Sequence, residues 1–265
     1  MQGSLTSEVL QHRFVKEGGF FHRFLISFEK KIAGLFCVIT QSDSMINELI
    51  NLGASPERIA NVKDVVDTDI FKPLPFNDDL ALQNKIDKRK QRILYMGLLD
   101  EYQGTDLMLE AFEIVATQLP DVQFIIIGYP NIDKYQAICE KRSIADKTLF
   151  LGRVDYLSLP KYLSLADIAI APKISVTEGD GKIYNYMAME MLTVAWDRSV
   201  AREILGETGI FAEYKNPGAL ADKIIWAIQN PEERKRLGGA ARERAVANLS
   251  WDAVGKRINA VYAKL

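Results

Sequence analysis

Between residues 92 and 213, short runs of apolar residues alternate with longer stretches in which apolar positions recur every three or four residues. Runs of the first kind predict strands buried on both faces, and the second kind predicts amphipathic helices. Strands are expected over 92–96, 122–128, 148–151, 167–171, 193–196 and 210–213. The run Phe124-Ile125-Ile126-Ile127 contains no polar residue, as a central parallel strand requires. Helices are expected over 105–118, 133–142 and 159–165, from about Gly181 or Lys182 onward, and at about 217–229, 231–247 and 251–264. Repeated β-α-β units of this kind wind into an open parallel sheet with right-handed crossovers. The fold class is therefore α/β, with residues 92–265 forming a complete Rossmann-like domain whose last helix packs back on the N-terminal part.

The pattern before residue 92 is thinner. Residues 1–12 read as a loop-like segment, and 20–35 as a helix with Phe20, Phe21, Phe24, Leu25, Phe28, Ile32 and Leu35 at helical spacing. Its approach and other face carry Arg13, Lys16, His22, Arg23, Lys30 and Lys31. A core-facing helix with a solvated basic side is the expectation, and contact with an anionic bilayer is the alternative. A strand over 36–40, a helix capped by Ser42 or Asp43 and ended by Gly53, and a short strand from Ala60 follow. Residues 74–91 are polar and show no apolar face. The chain thus divides into a partial α/β domain over 1–74, a linker over 75–91 and the domain over 92–265. Domains of this class usually need ~100–150 residues. The first part therefore looks like the closing section of another α/β domain, either a fragment or a piece completed by a partner chain.

A net charge of −2 removes any global bias towards nucleic acid. Cys37 and Cys139 lie far apart without metal-ligand or CxxC spacing, which suggests buried free thiols and a cytoplasmic address. Residues 1–20 are too charged for a signal peptide, and no apolar run reaches the ~18 residues of a membrane span.

Candidate chemistry gathers after the strand over 167–171, which runs into Pro172, a turn bearing Glu178, Gly179, Asp180 and Gly181, and then a helix. Ligands of open parallel sheets lie beyond the carboxyl ends of the strands, and the exposed N–H groups of a helix start favour negative charge. Lys182 and Asn185 share a face of the helix's first turn, where a cation and an amide suit a diphosphate and a sugar or ribose hydroxyl. The competing reading makes Glu178 and Asp180 helix caps and Lys182 a solvated surface residue.

Several segments together resemble the retaining glycosyltransferases of the GT-B fold, the group called family 4. Residues 62–73, VKDVVDTDIFKP, match its hinge pattern V-x-N-G-V-D-x-x-x-F-x-P, with Val65 at the glycine position. Its donor loop, G-R-L-x-x-x-K-G-x-D, runs from Gly97 to Asp106 and keeps both glycines, Gly97 and Gly104, but has Leu98 and Gln103 in place of the two cations. Residues 149–154 match F-x-G-x-V at Gly152, a turn near the nucleotide base in the family. Lys182, Asn185, Tyr186, Met187 and Ala188 follow K-x-x-E-Y-M-A, with Asn185 at the acid. Glu190 and Leu192 replace the family's Gly and Pro, so a distorted turn is expected there.

The resemblance implies transfer of a sugar from a nucleotide-diphosphate donor, with retention and with no metal or cofactor. Glu178 would hold the sugar ring, Asn185 the ribose and Lys182 the diphosphate, replacing the lost cations with help from backbone N–H groups near Gly97, Gly104 and Gly181. Gln103 and Gly152 complete the donor set. The acceptor, a glycan or a lipid-linked molecule at the inner membrane face, belongs to the N-terminal part, where Gln2-Gly3-Ser4 and His12 resemble an acceptor-proximal loop. One alternative is a non-catalytic or decayed nucleotide-sugar-binding subunit that needs a partner. Another GT-B enzyme, an epimerase or phosphorylase, would need a cofactor-type lysine or a second acid/base pair, and neither is found. A plain NAD-binding domain is disfavoured because residues 96–99 lack G-x-G-x-x-G.

Overall fold

A sheet of six parallel strands organises the larger of two units. The computed structural model describes residues 5–11, 14–35, 37–175 and 179–263. One unit comprises the described residues up to Val65, Gly179 and those from Asp252; the other comprises Val66–Ser175 and Asp180–Trp251.

In the smaller unit, α1 (Leu5–Gln11) and α2 (Phe20–Leu35) precede β1 (Val38–Thr40), α3 (Asp43–Asn51) and β2 (Ile59–Asn61). The last helix, α12 (Trp251–Tyr262), belongs here from Asp252 on. The Ser42 side chain caps α3 by accepting the Met45 N–H at 3.4 Å. β1 and β2 pair in parallel over three residues each. The core is small, built on Ala33, Met45, Leu49 and Ala54.

Three expectations fail in this unit. Residues read as a loop form α1, whose seven residues are too few to show a helical period. The aromatic face of α2, expected against the core, is exposed: Phe20 at 79%, Phe21 at 69% and Phe24 at 56%. The buried side of α2 carries Ala33 and Glu29 instead, and the Glu29 carboxylate accepts from the Thr6 hydroxyl at 2.6 Å. Periodicity identifies an apolar face but not what the face meets. Cys37 is only half-buried, whereas Cys139 is buried.

The larger unit runs α4 (Asp78–Gln83), β3 (Gln91–Met96), α5 (Thr105–Gln118), β4 (Val122–Ile127), α6 (Ile132–Lys141), β5 (Thr148–Gly152), α7 (Leu159–Leu163), β6 (Ile168–Ala171), α8 (Gly181–Ala188), β7 (Thr193–Trp196), α9 (Ser199–Leu205), β8 (Ile210–Ala212), α10 (Pro217–Gln229) and α11 (Pro231–Leu249). Successive residues of each strand feed opposite faces. Leu94, Met96, Ile125, Ile127, Ala169 and Ala171 pack with α7, α8 and α9, while Ile93, Tyr95, Phe124, Ile126, Ile168 and Ile170 pack with α5, α6 and α10. Phe112 of α5 stacks on Phe124 with ring centroids 4.0 Å apart. At the amino ends of the central strands, the Arg92 guanidinium grips Asp167 with two bonds of 3.0 and 2.7 Å. Residues 74–91, read as lacking an apolar face, bury Ala81 and Ile86 in the core and pack Phe76 and Leu80 against it. The apolar positions there are too sparse to register as a period.

Strand order reverses between β3 and β6: the chain builds outward through β4 and β5, then returns to place β6 on the other side of β3. Open α/β sheets bind ligands beyond the carboxyl ends of the strands at such a reversal.

Candidate functional site

The carboxyl ends of β3, β4 and β5 finish on glycines that hydrogen-bond in a row. The Gly97 N–H donates to the Ile127 carbonyl at 2.9 Å, and the Gly128 N–H donates to the Gly152 carbonyl at 2.9 Å. They floor an open pocket of about 660 Å³ whose walls include Leu98, Tyr129, Arg153, Val154 and Tyr156. The Arg153 guanidinium lies 5.3 Å from the centre of the Tyr129 ring, a cation–π arrangement. Gly152, with φ +68°, turns the chain into this wall.

Beside the pocket, at the reversal itself, charge is buried. Lys182, in the first turn of α8, is only 8% exposed, and Asp180 before it is 2% exposed. The Lys182 ammonium donates to Asp180 Oδ1 at 2.7 Å and to Gln103 Oε1 at 2.9 Å, and sits 5.4 Å from the centre of the Tyr95 ring. Its stem crosses Gly97 so closely that a Cβ on that glycine would lie 2.8 Å from Lys182 Cε. Glycine at 97 therefore leaves the room that the lysine stem occupies. Gly104, left-handed at φ +77°, brings the 97–106 loop against β6's exit, where an added Cβ would fall 1.9 Å from the Pro172 carbonyl oxygen.

Asp180 also holds Arg198, which follows β7: Arg198 Nη2 lies 3.4 Å from Asp180 Oδ2, and Nη1 donates to the Ser175 carbonyl. Lys173 is buried close by, 5.9 Å from the Tyr102 ring. Among the described residues the cluster thus sets Lys173, Lys182 and Arg198 against Asp180. Burial works to raise the Asp180 pKa, but Lys182, Arg198 and Lys173 outweigh it and hold the carboxyl below its ordinary range. Burial, reinforced by Lys173 and Arg198 and opposed by Asp180, draws Lys182 below the usual lysine range. Buried cations beyond the carboxyl ends of parallel strands suit an anionic ligand.

The structure therefore brings Gly97, Gln103 and its neighbour Gly104 together with Lys182, while Gly152 shares the strand-end pocket with Gly97 alone of these. Lys182 is not the solvated residue of the competing reading, and the Asp180 side chain makes no cap bond because both its oxygens serve cations. Gly181 opens α8, and Asn185, half-buried one turn on, is not among the hydrogen-bond partners of Lys182. Glu178 and the segment with Gln2, Gly3, Ser4 and His12 lie outside the described residues. The amides of Gly97 and Gly104, expected to aid anion binding, are committed to the carbonyls of Ile127 and Glu101. Arg198 and Lys173 escaped the sequence reading, although each follows the end of a strand, where ligand contacts concentrate. No group of three or more His, Cys, Asp or Glu side chains able to hold a metal occurs among the described residues. None of the described helices is long and apolar enough to cross a membrane.

Glu190 accepts a left-handed conformation, φ +61°, at the glycine position, and Gly238 of α11 packs so tightly on it that a Cβ would lie 2.3 Å from the Glu190 carbonyl oxygen.

Comparison with known proteins agrees with this architecture. Residues 77–244 match the family model described as glycosyl transferases group 1. The chain is 29% identical over 204 residues to the phosphatidyl-myo-inositol mannosyltransferase of Mycobacterium tuberculosis, covering 74% of this chain and 52% of that protein. It is 24% identical over 249 residues to the D-inositol 3-phosphate glycosyltransferase of Corynebacterium glutamicum, covering 87% and 57%. The chain thus spans about half the length of these curated relatives. Among solved structures, HepE of Anabaena in complex with UDP superposes with a TM-score of 0.83 at 16% identity, over 100% of this chain and 71% of that one. A glycosyltransferase from Rickettsia africae gives 0.81 at 19% identity, over 90% and 66%. These likenesses carry the fold, which is of the GT-B, Rossmann-like type. From the match over residues 77–244 it follows that this chain belongs to the glycosyl transferases group 1 family.

Proposed function

We propose that this chain takes part in moving a hexosyl group from a nucleoside-diphosphate sugar to an acceptor hydroxyl, with retention at the anomeric carbon. The observation that carries the reading is the buried Lys182 ammonium, whose stem packs on Gly97, a residue of the strand-end pocket. In the step, the bond from the anomeric carbon to the diphosphate oxygen breaks and the acceptor oxygen bonds the same face. The acceptor proton passes to the departing phosphate. The site's part is to neutralise charge on the leaving group, which a preorganised buried cation does without reorganisation at the moment of reaction. The base would lie in the pocket between Tyr129, Gly152 and Arg153, and Asn185 would hold the ribose. Glu178 would hold the sugar ring.

Related names support a nucleotide donor and, for some relatives, a lipid acceptor: one is a GDP-mannose-dependent mannosyltransferase acting on a phosphatidylinositol mannoside, and HepE is solved with UDP-glucose. A lipid-linked or glycan acceptor would meet the smaller unit, whose α2 offers exposed phenylalanines beside Lys16, Arg23, Lys30 and Lys31 to an anionic bilayer. The two-stranded sheet of that unit favours completion by further polypeptide, since so small a sheet is marginal alone. The decayed-subunit reading, to which the partial N-terminal part, Val65, Leu98, Gln103, Glu190 and Leu192 point, is not favoured by the group 1 glycosyltransferase relatives.

The test is a titration of the protein with UDP-, GDP- and ADP-sugars beside the Lys182→Ala variant. One nucleotide is expected to bind, and the variant to lose ~1.5–3 kcal/mol, the scale of a hydrogen bond to a charged group. Absence of binding to all three would sink the donor site.

A further inference from the structure

Arg198 is placed where none of the family pattern's cations stand, and its bonds are specific. It ties Ser175, just beyond β6, to Asp180, just before α8, while Asp180 turns its other oxygen to Lys182. A carboxylate that faced Lys182 alone would cancel its charge and compete with any incoming anion. Shared between two cations, it is not engaged by Lys182 alone.

We propose that Arg198 is a positioning residue for the donor: by taking part of Asp180's charge it keeps the Lys182 ammonium available to the diphosphate. The inference rests on the donor reading above. It also accounts for how the loop over 97–106 tolerates Leu98 and Gln103. Positive charge absent from that loop is supplied from β7's end and relayed through one carboxylate.

The proposal separates two effects of substitution. Arg198→Gln keeps a hydrogen-bond donor for the Ser175 carbonyl but drops the charge, so Asp180 falls wholly to Lys182. Affinity for a nucleoside diphosphate is expected to weaken about tenfold, the scale of one charged hydrogen bond, while the monophosphate of the same nucleoside changes by less than about twofold. Adding Asp180→Asn to Arg198→Gln removes the competing carboxylate and frees Lys182 again. The double variant is expected to recover diphosphate affinity to within about threefold of the unsubstituted protein. A purely structural role for Arg198 would show no such recovery.

The measurement is calorimetric titration of the full chain and both variants with the nucleoside mono- and diphosphates of uridine, guanosine and adenosine. Circular dichroism confirms folding. Loss confined to the diphosphate and regained in the double variant supports the proposal. Equal loss for both nucleotides, no loss in Arg198→Gln, or a double variant as weak as the single one overturns it. If Arg198→Gln does not fold, the double variant decides, because near-normal diphosphate binding supports the charge-sharing role and its loss refutes it. If the unsubstituted protein binds no nucleotide, the donor reading itself has failed, and this role falls with it.

Discussion

Replacing Gly104 with alanine should damage the larger unit far more than one methyl group would suggest. The residue sits at φ +77°, and there a side chain costs roughly 1–2 kcal/mol in left-handed backbone strain. The new Cβ would also fall 1.9 Å from the Pro172 oxygen and 2.9 Å from its carbon, both backbone atoms that cannot rotate aside. Relief requires β6's exit to move, and overpacking of this kind costs roughly 1–3 kcal/mol. Together the two effects give a loss of about 2–5 kcal/mol. For a unit of this size each kcal/mol lowers the melting temperature by about 2–4 °C, so a fall of at least about 4 °C is expected. Urea unfolding followed by tryptophan fluorescence reads the larger unit directly, because Trp196 is fully buried on β7. Gly181→Ala is the control: nothing lies within 4 Å of a Cβ there, and it should change stability by less than about 0.5 kcal/mol. A Gly104→Ala protein as stable as the control would refute the close approach of the 97–106 loop to Pro172.

Lys182 lies below the usual lysine range, so its charge, and with it donor affinity, should be lost as pH rises through that lowered value. Lys182→Arg should abolish this alkaline limb in a binding titration, and a limb that persists would assign it elsewhere. Asp180 titrates in the opposite sense: with its folded pKa below the ordinary value, its contribution to stability is present above the ordinary aspartate range and lost as pH falls through the folded value. Acid unfolding of Asp180→Asn should lack that component, and an unchanged acid profile would contradict the pairing. Glu190→Gly should raise stability by about 0.5–1 kcal/mol, relief of left-handed strain less the entropy of glycine. Thermal melting checks it, and a decrease would mean that the Glu190 side chain contributes more than its backbone strain costs.

The strands were legible because burial on both faces forces unbroken apolar runs: Phe124 to Ile127 announces β4 without help from its neighbours. α5 was legible through the period of Leu107, Leu109, Ala111, Phe112 and Val115. α9 was not, since seven residues, Ser199–Leu205, give two turns and no side-chain cap. Lys182 was nominated from its position after a strand, and its burial was not visible because Asp180, Gln103 and Tyr95 become neighbours only through the fold. Arg198 illustrates the same limit more sharply. An arginine between Asp197 and Ser199 looks like a surface residue until Ser175 and Asp180 are placed around it. The exposure of α2 escaped for the opposite reason, since seven well-spaced apolar residues predicted a core too small to receive them.

That exposed row on α2 gives the molecule the character of a surfactant. Phe20, Phe21, Phe24, Phe28 and Ile32 present aromatic and aliphatic surface to water, with lysines and an arginine alongside. Such a chain should collect at air–water boundaries, lower surface tension and foam when stirred. Handling it below the critical concentration of a mild detergent would concentrate it in the film rather than in the bulk.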